Sequence, residues 1–522
     1  KNALILLFTY VVAAEAGIEP ELLGTVAAGL FILPFFLFSA FAGQLADKYE
    51  KSLLIRRIKL FEIALMVLAA AGFMLANTYM LLAVLFLMGT QSAFFGPLKY
   101  GILPDHLKED ELIGGNALIE TGTFLAILIG TILGLIVRAP AGREIISVFL
   151  ILVAIAGFLA ARKIPKAPSS APDLKVNWNF IGETFAMIKS VKKHEVLFLA
   201  ILGISWFWFV GATFLTLFPA YAQKTLGAAE ELVTLFLALF SIGIAIGSLL
   251  CNRLLRGAVT ARFVPLAAVV MAGFCIDLYY ASAYISPLED GMIDIQSFLA
   301  MPASWRILGD MLGTAIAGGV YIVPLYAILQ ARSIASQRAR VIAANNIINA
   351  LFMVASAVSI VVLTSFGLTI PGMFLVTGIL SAVVAVYIVQ ILPQDLVHSI
   401  VRTLLRTFYR VEVKGLRNYQ KVSNKVVIIA NHTSFLDGLL LGAFLPHQLT
   451  FAINTHIATK WWVKPAFALF DLLTLDPTNP MAAKAMVREV KKGRRLVIFP
   501  EGRLTVTGAL MKVYEGPGTI AQ

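Results

Sequence analysis

The chain has 522 residues, of which 59% are apolar and only 14% charged, and its formal net charge is +12. Soluble domains carry about 25% charged residues, so this composition excludes a protein dissolved wholly in water and leaves room for about a dozen spans of ~20 residues plus one small soluble domain. The two cysteines, Cys251 and Cys275, both fall in apolar segments and supply neither a disulfide framework nor a metal cluster.

The first apolar run, "ALILLFTYVVAA", is too short to span alone, and it follows Lys1 in place of a Met. It reads as the remainder of a truncated first helix. Apolar segments of spanning length then recur at 22–42, 58–77, 79–98, 112–137, 144–161, 196–222, 230–251, 263–284, 307–330, 341–365 and 369–392. With the first run they make twelve. The polar stretch "RKIPKAPSSAPDLKVNWNF" divides them six and six. The expected organisation is a first bundle over 1–161, a linker over 162–193, a second bundle over 194–392 and a tail over 393–522, truncated at its end.

Basic residues set the orientation. Loops after the even-numbered spans carry 20 Lys and Arg, whereas those on the other side carry Arg138, Arg143, Lys224 and Arg306 alone. The first set, the central linker and the tail are therefore expected in the cytoplasm.

The loop after the second span, "GQLADKYEKSLLIRR", places Gly43, Asp47 and a basic run that includes Arg56 between two apolar segments. Gly43 lets two helices approach closely, and Asp47 can cap a helix or pair with a base to lock one conformation. At the same place in the other half, "GSLLCNRLLRG" keeps Gly247 and Arg253 but has Asn252 where the Asp would be. This paired loop resembles the signature of the major facilitator superfamily. The resemblance implies twelve helices in two six-helix bundles, an all-α transporter built as a parallel repeat.

Ionisable groups inside spans are costly and are functional candidates. Lys99 lies in "FFGPLKYGILP", and Glu120 sits one helical turn after Asn116 in "GGNALIETG". A carboxylate facing an ammonium and an ammonium facing a phosphate could together hold a zwitterionic head group. Equally, the two could pair as a gate, or Lys99 could snorkel to the interface. Glu62 and Asp277 read as isolated charges. The strings "GPLKYGILPDHL", "GGNALIE" and "GGVYIVPLYAILQ" resemble the lysophospholipid transporters, a branch of that superfamily, across residues 1 to 392. That family is believed to flip lysophosphatidylethanolamine inward across a bacterial inner membrane. Its polar motif in the first span is represented here by little more than Asn2.

After Pro393 the pattern changes. "DLVHSIVRTLLRTFYR" places Leu396, Val397, Ile400, Val401, Leu404, Leu405 and Phe408 on one helical face and Arg402, Arg406 and Arg410 on another. Such a helix can lie in the membrane interface or pack on protein. "YRVEVKG", "KVVIIA", "LTLDP" and "RLVIFPEG" then read as strands, with the helical "NPMAAKAMVREVKKG" between the last two, which predicts an α/β domain. From residue 393 on there are 17 Lys and Arg against 8 Asp and Glu. No Walker loop, zinc spacing or nucleic-acid motif accompanies that charge, so anionic membrane lipids or an acidic acyl carrier protein are the expected partners, with no nucleic acid and no metal.

In "NHTSFLD", His432 follows a strand and precedes an apolar helix that starts near Asp437. Asp437 can fold back to hold one imidazole nitrogen and leave the other as a base. With no Ser or Cys elbow present, that base would act on the substrate's own hydroxyl. In "FPEGR", Gly502 permits close backbone approach and Arg503 can hold a phosphate in two-point contact. His-x4-Asp followed by Phe-Pro-Glu-Gly resembles the glycerolipid acyltransferases. The resemblance makes His432 the base, Asp437 its orienter, and Glu501, Gly502 and Arg503 the glycerophosphate contacts. Where that family often has an Arg, this chain has Asp476 and Pro477, which suits an ethanolamine head and resembles the 2-acylglycerophosphoethanolamine acyltransferases. No adenylate-forming synthetase domain precedes Gln522.

The expectation is a bifunctional phospholipid-repair protein, multi-pass in a bacterial inner membrane. It would bring lysophosphatidylethanolamine inward and re-acylate it from acyl carrier protein or acyl-CoA, with no bound cofactor. The alternatives are a drug or solute exporter, or an inactive anchor, fused to a lysophosphatidate acyltransferase.

Overall fold

The structure is a computed structural model. It describes residues 20–75, 77–134, 141–285 and 292–391, and then 402, 405, 406, 408–420, 422, 425–445, 449–460, 470–476, 481–505, 518 and 520. The expected first span, Asn2, Pro477 and most of the amphipathic segment 394–410 lie outside the described residues. The chain forms two compact units that divide between Ala385 and Val386.

Unit one is helical. The first half supplies α1 (Pro20–Lys48), α2 (Lys51–Met74), α3 (Thr78–Gly101), α4 (Leu112–Gly134) and α5 (Gly142–Arg162). A shorter α6 (Phe180–Lys192) lies in the linker. The second half supplies α7 (Glu195–Ala220), α8 (Glu230–Leu255), α9 (Val264–Ser282), α10 (Pro302–Arg332), α11 (Arg338–Ser365) and α12 (Ile370–Ile391). Among the described residues ten of these are long and apolar enough to cross a membrane. Helices are the natural choice there, because each backbone donor finds its partner within its own segment. The tenfold count differs from the expected twelve for two reasons. The expected first span falls on residues 1–19, outside the described residues, and α2 carries Lys51, Arg56, Arg57, Lys59 and Glu62 in its first half.

Small residues bring the helices together. A Cβ on Gly89 of α3 would meet Phe31 O of α1 at 2.4 Å, and one on Gly247 of α8 would meet Ile316 O of α10 at 2.0 Å. Backbone cannot swing aside as a side chain can. Gly247→Ala is therefore expected to destabilise the bundle by roughly 1–3 kcal/mol, read as a lower melting temperature of the purified protein in detergent.

The two isolated charges of the sequence reading have partners. Glu62 accepts from Lys59 Nζ at 2.7 Å and from Gln91 Nε2 at 2.9 Å. Asp277 accepts from Arg306 through two nitrogens, at 2.9 and 2.5 Å. Both charges are thus paired at partly exposed positions.

The halves meet at the end that carries the basic loops. Along α11, Val341–Ala350 are all buried, whereas beyond Ala350 only Ser356 is. The same gradient runs along α1, whose buried residues concentrate over Ser39–Asp47. The bundle is closed at one end and splayed at the other.

Unit two contains a four-stranded parallel sheet in the order β1–β4–β2–β3, with β1 Val426–Ile429, β2 Leu449–Asn454, β3 Asp471–Leu475 and β4 Arg495–Ile498. Helices α13 (Leu436–Phe444) and α14 (Met481–Lys491) follow β1 and precede β4. Two expectations are corrected. "YRVEVKG" is irregular, and Val411 packs beside Leu405, Ala443 and Phe444. "LTFAIN", which was not read as a strand, is β2, held on both sides by β3 and β4. Of the amphipathic segment, Arg402 donates to Ala443 O at 2.5 Å, and both Arg402 and Arg406 lie over the Phe444 ring. These basic residues pack on the end of α13, which favours the protein-packing alternative.

Candidate functional site

In a parallel sheet the loops at the C-terminal ends of the strands share one edge, and ligands gather there. Strand β1 pairs with β4 in the register Ile429↔Ile498. His432 and Glu501 each lie three residues beyond, so they emerge side by side. Ala430 N donates to Ile498 O at 3.3 Å, His432 N to Glu501 Oε1 at 3.1 Å, and Thr505 N to His432 O at 2.9 Å. The two sequence blocks are therefore stitched into one structure. Phe499 lies beneath the imidazole, stacked at 4.1 Å between ring centroids.

Asp437 sits in the first turn of α13 and folds back. Its Oδ2 lies 3.2 Å from His432 Nδ1 and accepts from Thr433 N at 2.7 Å and Ser434 N at 2.8 Å. Partial burial raises its pKa, but these backbone donors and the imidazole outweigh that, and the carboxyl is held below its ordinary value. It is thus an anion near neutral pH, with its stabilising effect present above the ordinary carboxylate pKa and lost only as the pH falls through the lowered one. An anion at Nδ1 fixes the tautomer with its proton there, and Nε2 is left as the base.

Glu501 is buried and turned toward the His432 backbone, whereas Gly502, at φ +65°, and Arg503 are exposed. Asp476, just past β3, is exposed at the same edge of the sheet. Strand order separates β3 from β1 by three strand spacings, about 14 Å.

In unit one the expected polar residues divide into two places. At the basic-loop end, Asp47 is fully buried and accepts from Ala339 N at 3.0 Å, Arg340 N at 3.3 Å and Arg340 Nε at 3.0 Å. It caps the start of α11 across the two halves, and its basic partner is Arg340 and not its own loop's basic run. A Cβ on Gly43 would come within 2.7 Å of Ala343 Cβ. Arg56 turns away to Ile164 O. Beside this lock, Asp105 pairs with buried Lys51 at 2.9 Å and with Arg338 at 3.7 Å.

One or two turns deeper, Glu120 is fully buried and accepts from Tyr100 Oη at 2.6 Å. Tyr100 stacks on Tyr326 of α10 at 4.2 Å, and Trp208 Nε1 donates to the Tyr326 hydroxyl at 3.3 Å. Asn116 and Gln330 exchange two hydrogen bonds across the halves, at 2.7 and 2.9 Å. Lys99 is half-buried, donates to Thr123 Oγ1 at 2.9 Å and lies over the Tyr100 ring. It makes no ion pair with Glu120 among the described residues. The sequence reading missed Tyr100, Tyr326, Gln330 and Arg340. Tyr326 and Gln330 stand in the string "GGVYIVPLYAILQ", but weighing only ionisable residues passed over them.

Residues 1–304 match the family described as Major Facilitator Superfamily, and residues 410–522 match the family described as Acyltransferase. Over 333 residues the chain is 26% identical to proteins named lysophospholipid transporter LplT from Escherichia fergusonii and Escherichia coli, covering 63% of this chain and 76% of each relative. The fold is similar to that of the human organic anion transporter MFSD10 (TETRAN), with a TM-score of 0.57 and 13% identity over 73% of this chain and 89% of that one. It is similar also to an outward-facing bacterial homologue of the iron transporter ferroportin, with a TM-score of 0.51 and 14% identity over 74% of this chain and 95% of that one.

Proposed function

We propose, for a chain that belongs to the Major Facilitator Superfamily and carries an acyltransferase domain at its end, a lysophospholipid transporter fused to the enzyme that re-acylates its cargo. The observation that carries this reading is the pairing of the two parts. A membrane bundle similar to lysophospholipid transporters is joined to a His–Asp site similar to acyltransferases. The fusion delivers the transported lipid beside the enzyme at high effective concentration.

With the basic-loop end in the cytoplasm, the splayed end faces outward and receives lysophosphatidylethanolamine from the outer leaflet. Glu120, Asn116 and Lys99 line its path, and the Asp47–Arg340 lock opens to release it inward. In the tail, His432 Nε2 takes the proton of the free glycerol hydroxyl as that oxygen attacks the thioester carbonyl of acyl carrier protein or acyl-CoA. An ester forms, the C–S bond breaks, and the thiol leaves with a proton. Asp437 stabilises the imidazolium between those steps. Gly502 and Arg503 hold the phosphate, while Glu501 holds their turn against His432.

Leaflet-specific uptake of labelled lysophosphatidylethanolamine into vesicles tests the reading. A drug exporter or an inert anchor would leave the label outside. Protease added to sealed, right-side-out vesicles is expected to spare residues 393–522, and cleavage there would overturn the orientation.

A further inference from the structure

Buried polar atoms without partners are rare, because each forfeits its hydration and gains nothing in return. Several converge at one place in the membrane unit. Glu120 Oε2, Asn346 Nδ2 and both amide atoms of Asn345 are buried and make no hydrogen bond. Glu120 and Asn345 are each 0% exposed, and Asn346 is 9% exposed.

Their placement is shared between the halves. Glu120 comes from α4 and is tied by Tyr100 of α3 to the Tyr326 ring of α10. Asn345 of α11 faces the Tyr326 hydroxyl and interacts with it, without forming a well-aligned hydrogen bond. Asn346 reaches the other way, toward α3, where its Nδ2 would lie 2.4 Å from a Cβ on Gly96, one turn before Tyr100. The neighbouring Asn349, by contrast, accepts from Ser205 at 2.7 Å. The unsatisfied atoms thus sit in the sealed layer below the point where α1 and α11 splay, on the line that a ligand must cross when the halves part.

We propose that Asn345 and Asn346, with Glu120, form the hydrogen-bonding station for the phosphodiester head group of the transported lipid, a site completed by both halves. The inference rests on the lysophospholipid reading above and assigns its second-half contacts. The unmet valences match that chemistry. Amide N–H groups suit phosphate and ester oxygens, while Glu120 Oε2 and Asn345 Oδ1 suit the ammonium or hydroxyl donors at the end of the head group. In the closed layer Glu120 Oε2 and Asn346 Nδ2 have no partner, and Asn345 has only the Tyr326 hydroxyl beside it. When the layer opens, the head group supplies them, so the cost carried by the empty protein is recovered on transport.

The test is Asn345→Leu, which replaces both amide atoms by methyl groups and keeps the branched shape of the side chain. A ligand contact and a structural contact predict opposite outcomes. Because an unsatisfied amide is replaced by an apolar group, the purified full chain should melt at the same temperature or higher. Its KM for uptake of labelled lysophosphatidylethanolamine into proteoliposomes should rise about tenfold. Asn345→Ala gives the same readout if the Leu variant does not accumulate. An unchanged KM with altered maximal rate would overturn the proposal, and so would a lowered melting temperature with unchanged KM. Failure of the unaltered protein to take up the lipid at all would instead sink the lysophospholipid reading, and this inference with it.

Discussion

His432→Ala should reduce acylation of lysophospholipid by about 10²–10⁴-fold, the usual contribution of a positioned general base. The imidazole is fixed from three sides: Asp437 at Nδ1, Phe499 beneath the ring, and Glu501 and Thr505 on the backbone. Its removal leaves in the two motif blocks only the carboxylates of Asp437 and Glu501, both turned to backbone amides. Asp437→Asn should also be severe, because an amide can present its NH₂ to Nδ1 and select the wrong tautomer, and it cannot stabilise an imidazolium. Asp437 also gathers Thr433 N and Ser434 N, so part of its loss will be local disorder at the start of α13. The discriminating measurement is uptake in the same preparation. Neither residue belongs to the membrane unit, so labelled lysolipid should still enter and should accumulate unacylated. Acylation that survives His432→Ala would remove the base from the account.

Asp47→Ala should collapse uptake while leaving acylation of lysolipid supplied in detergent intact. Three hydrogen bonds from the start of α11 end on this one buried carboxylate. Breaking a buried pair from one side costs about 3–5 kcal/mol, because the surviving charge is left uncompensated. A shift of that size between closed and open arrangements changes their ratio by more than tenfold, so uptake should fall tenfold or more. Asp47→Asn keeps an acceptor for Ala339 N but loses the charge for Arg340, and should fall between the two. Uptake that persists in Asp47→Ala would mean that the Lys51–Asp105–Arg338 group is the effective lock.

What could be read from the sequence followed the range of the interactions involved. Spans are set by local hydropathy, and every segment from 22–42 to 369–392 overlaps a long helix. The His–Asp pair was legible because five residues and a turn suffice to close it. Strand β2 was not read, although "LTFAIN" is the longest of the four, and its identity as a strand comes from β3 and β4 on either side. "YRVEVKG" failed in the opposite sense: it has the alternation, but among the described residues no strand pairs with it. The same limit hid the partners of Glu62, Asp277 and Asp47. Arg340 lies 293 residues from Asp47, and only the parallel packing of two halves brings them together. Asn345 and Asn346 are visible as a polar pair in an apolar helix, yet nothing local distinguishes a satisfied pair from an orphaned one.

One measurement tests the fused account most directly. Sealed right-side-out vesicles are loaded with acyl-acyl carrier protein or acyl-CoA, and labelled lysophosphatidylethanolamine is added outside. The account predicts diacyl phospholipid formed from the outside label, abolished by Asp47→Ala through lost uptake and by His432→Ala through lost acylation, with unacylated label accumulating inside only in the second case. Label that stays outside in vesicles bearing the unaltered protein, or product that forms equally well with Asp47→Ala, would contradict it.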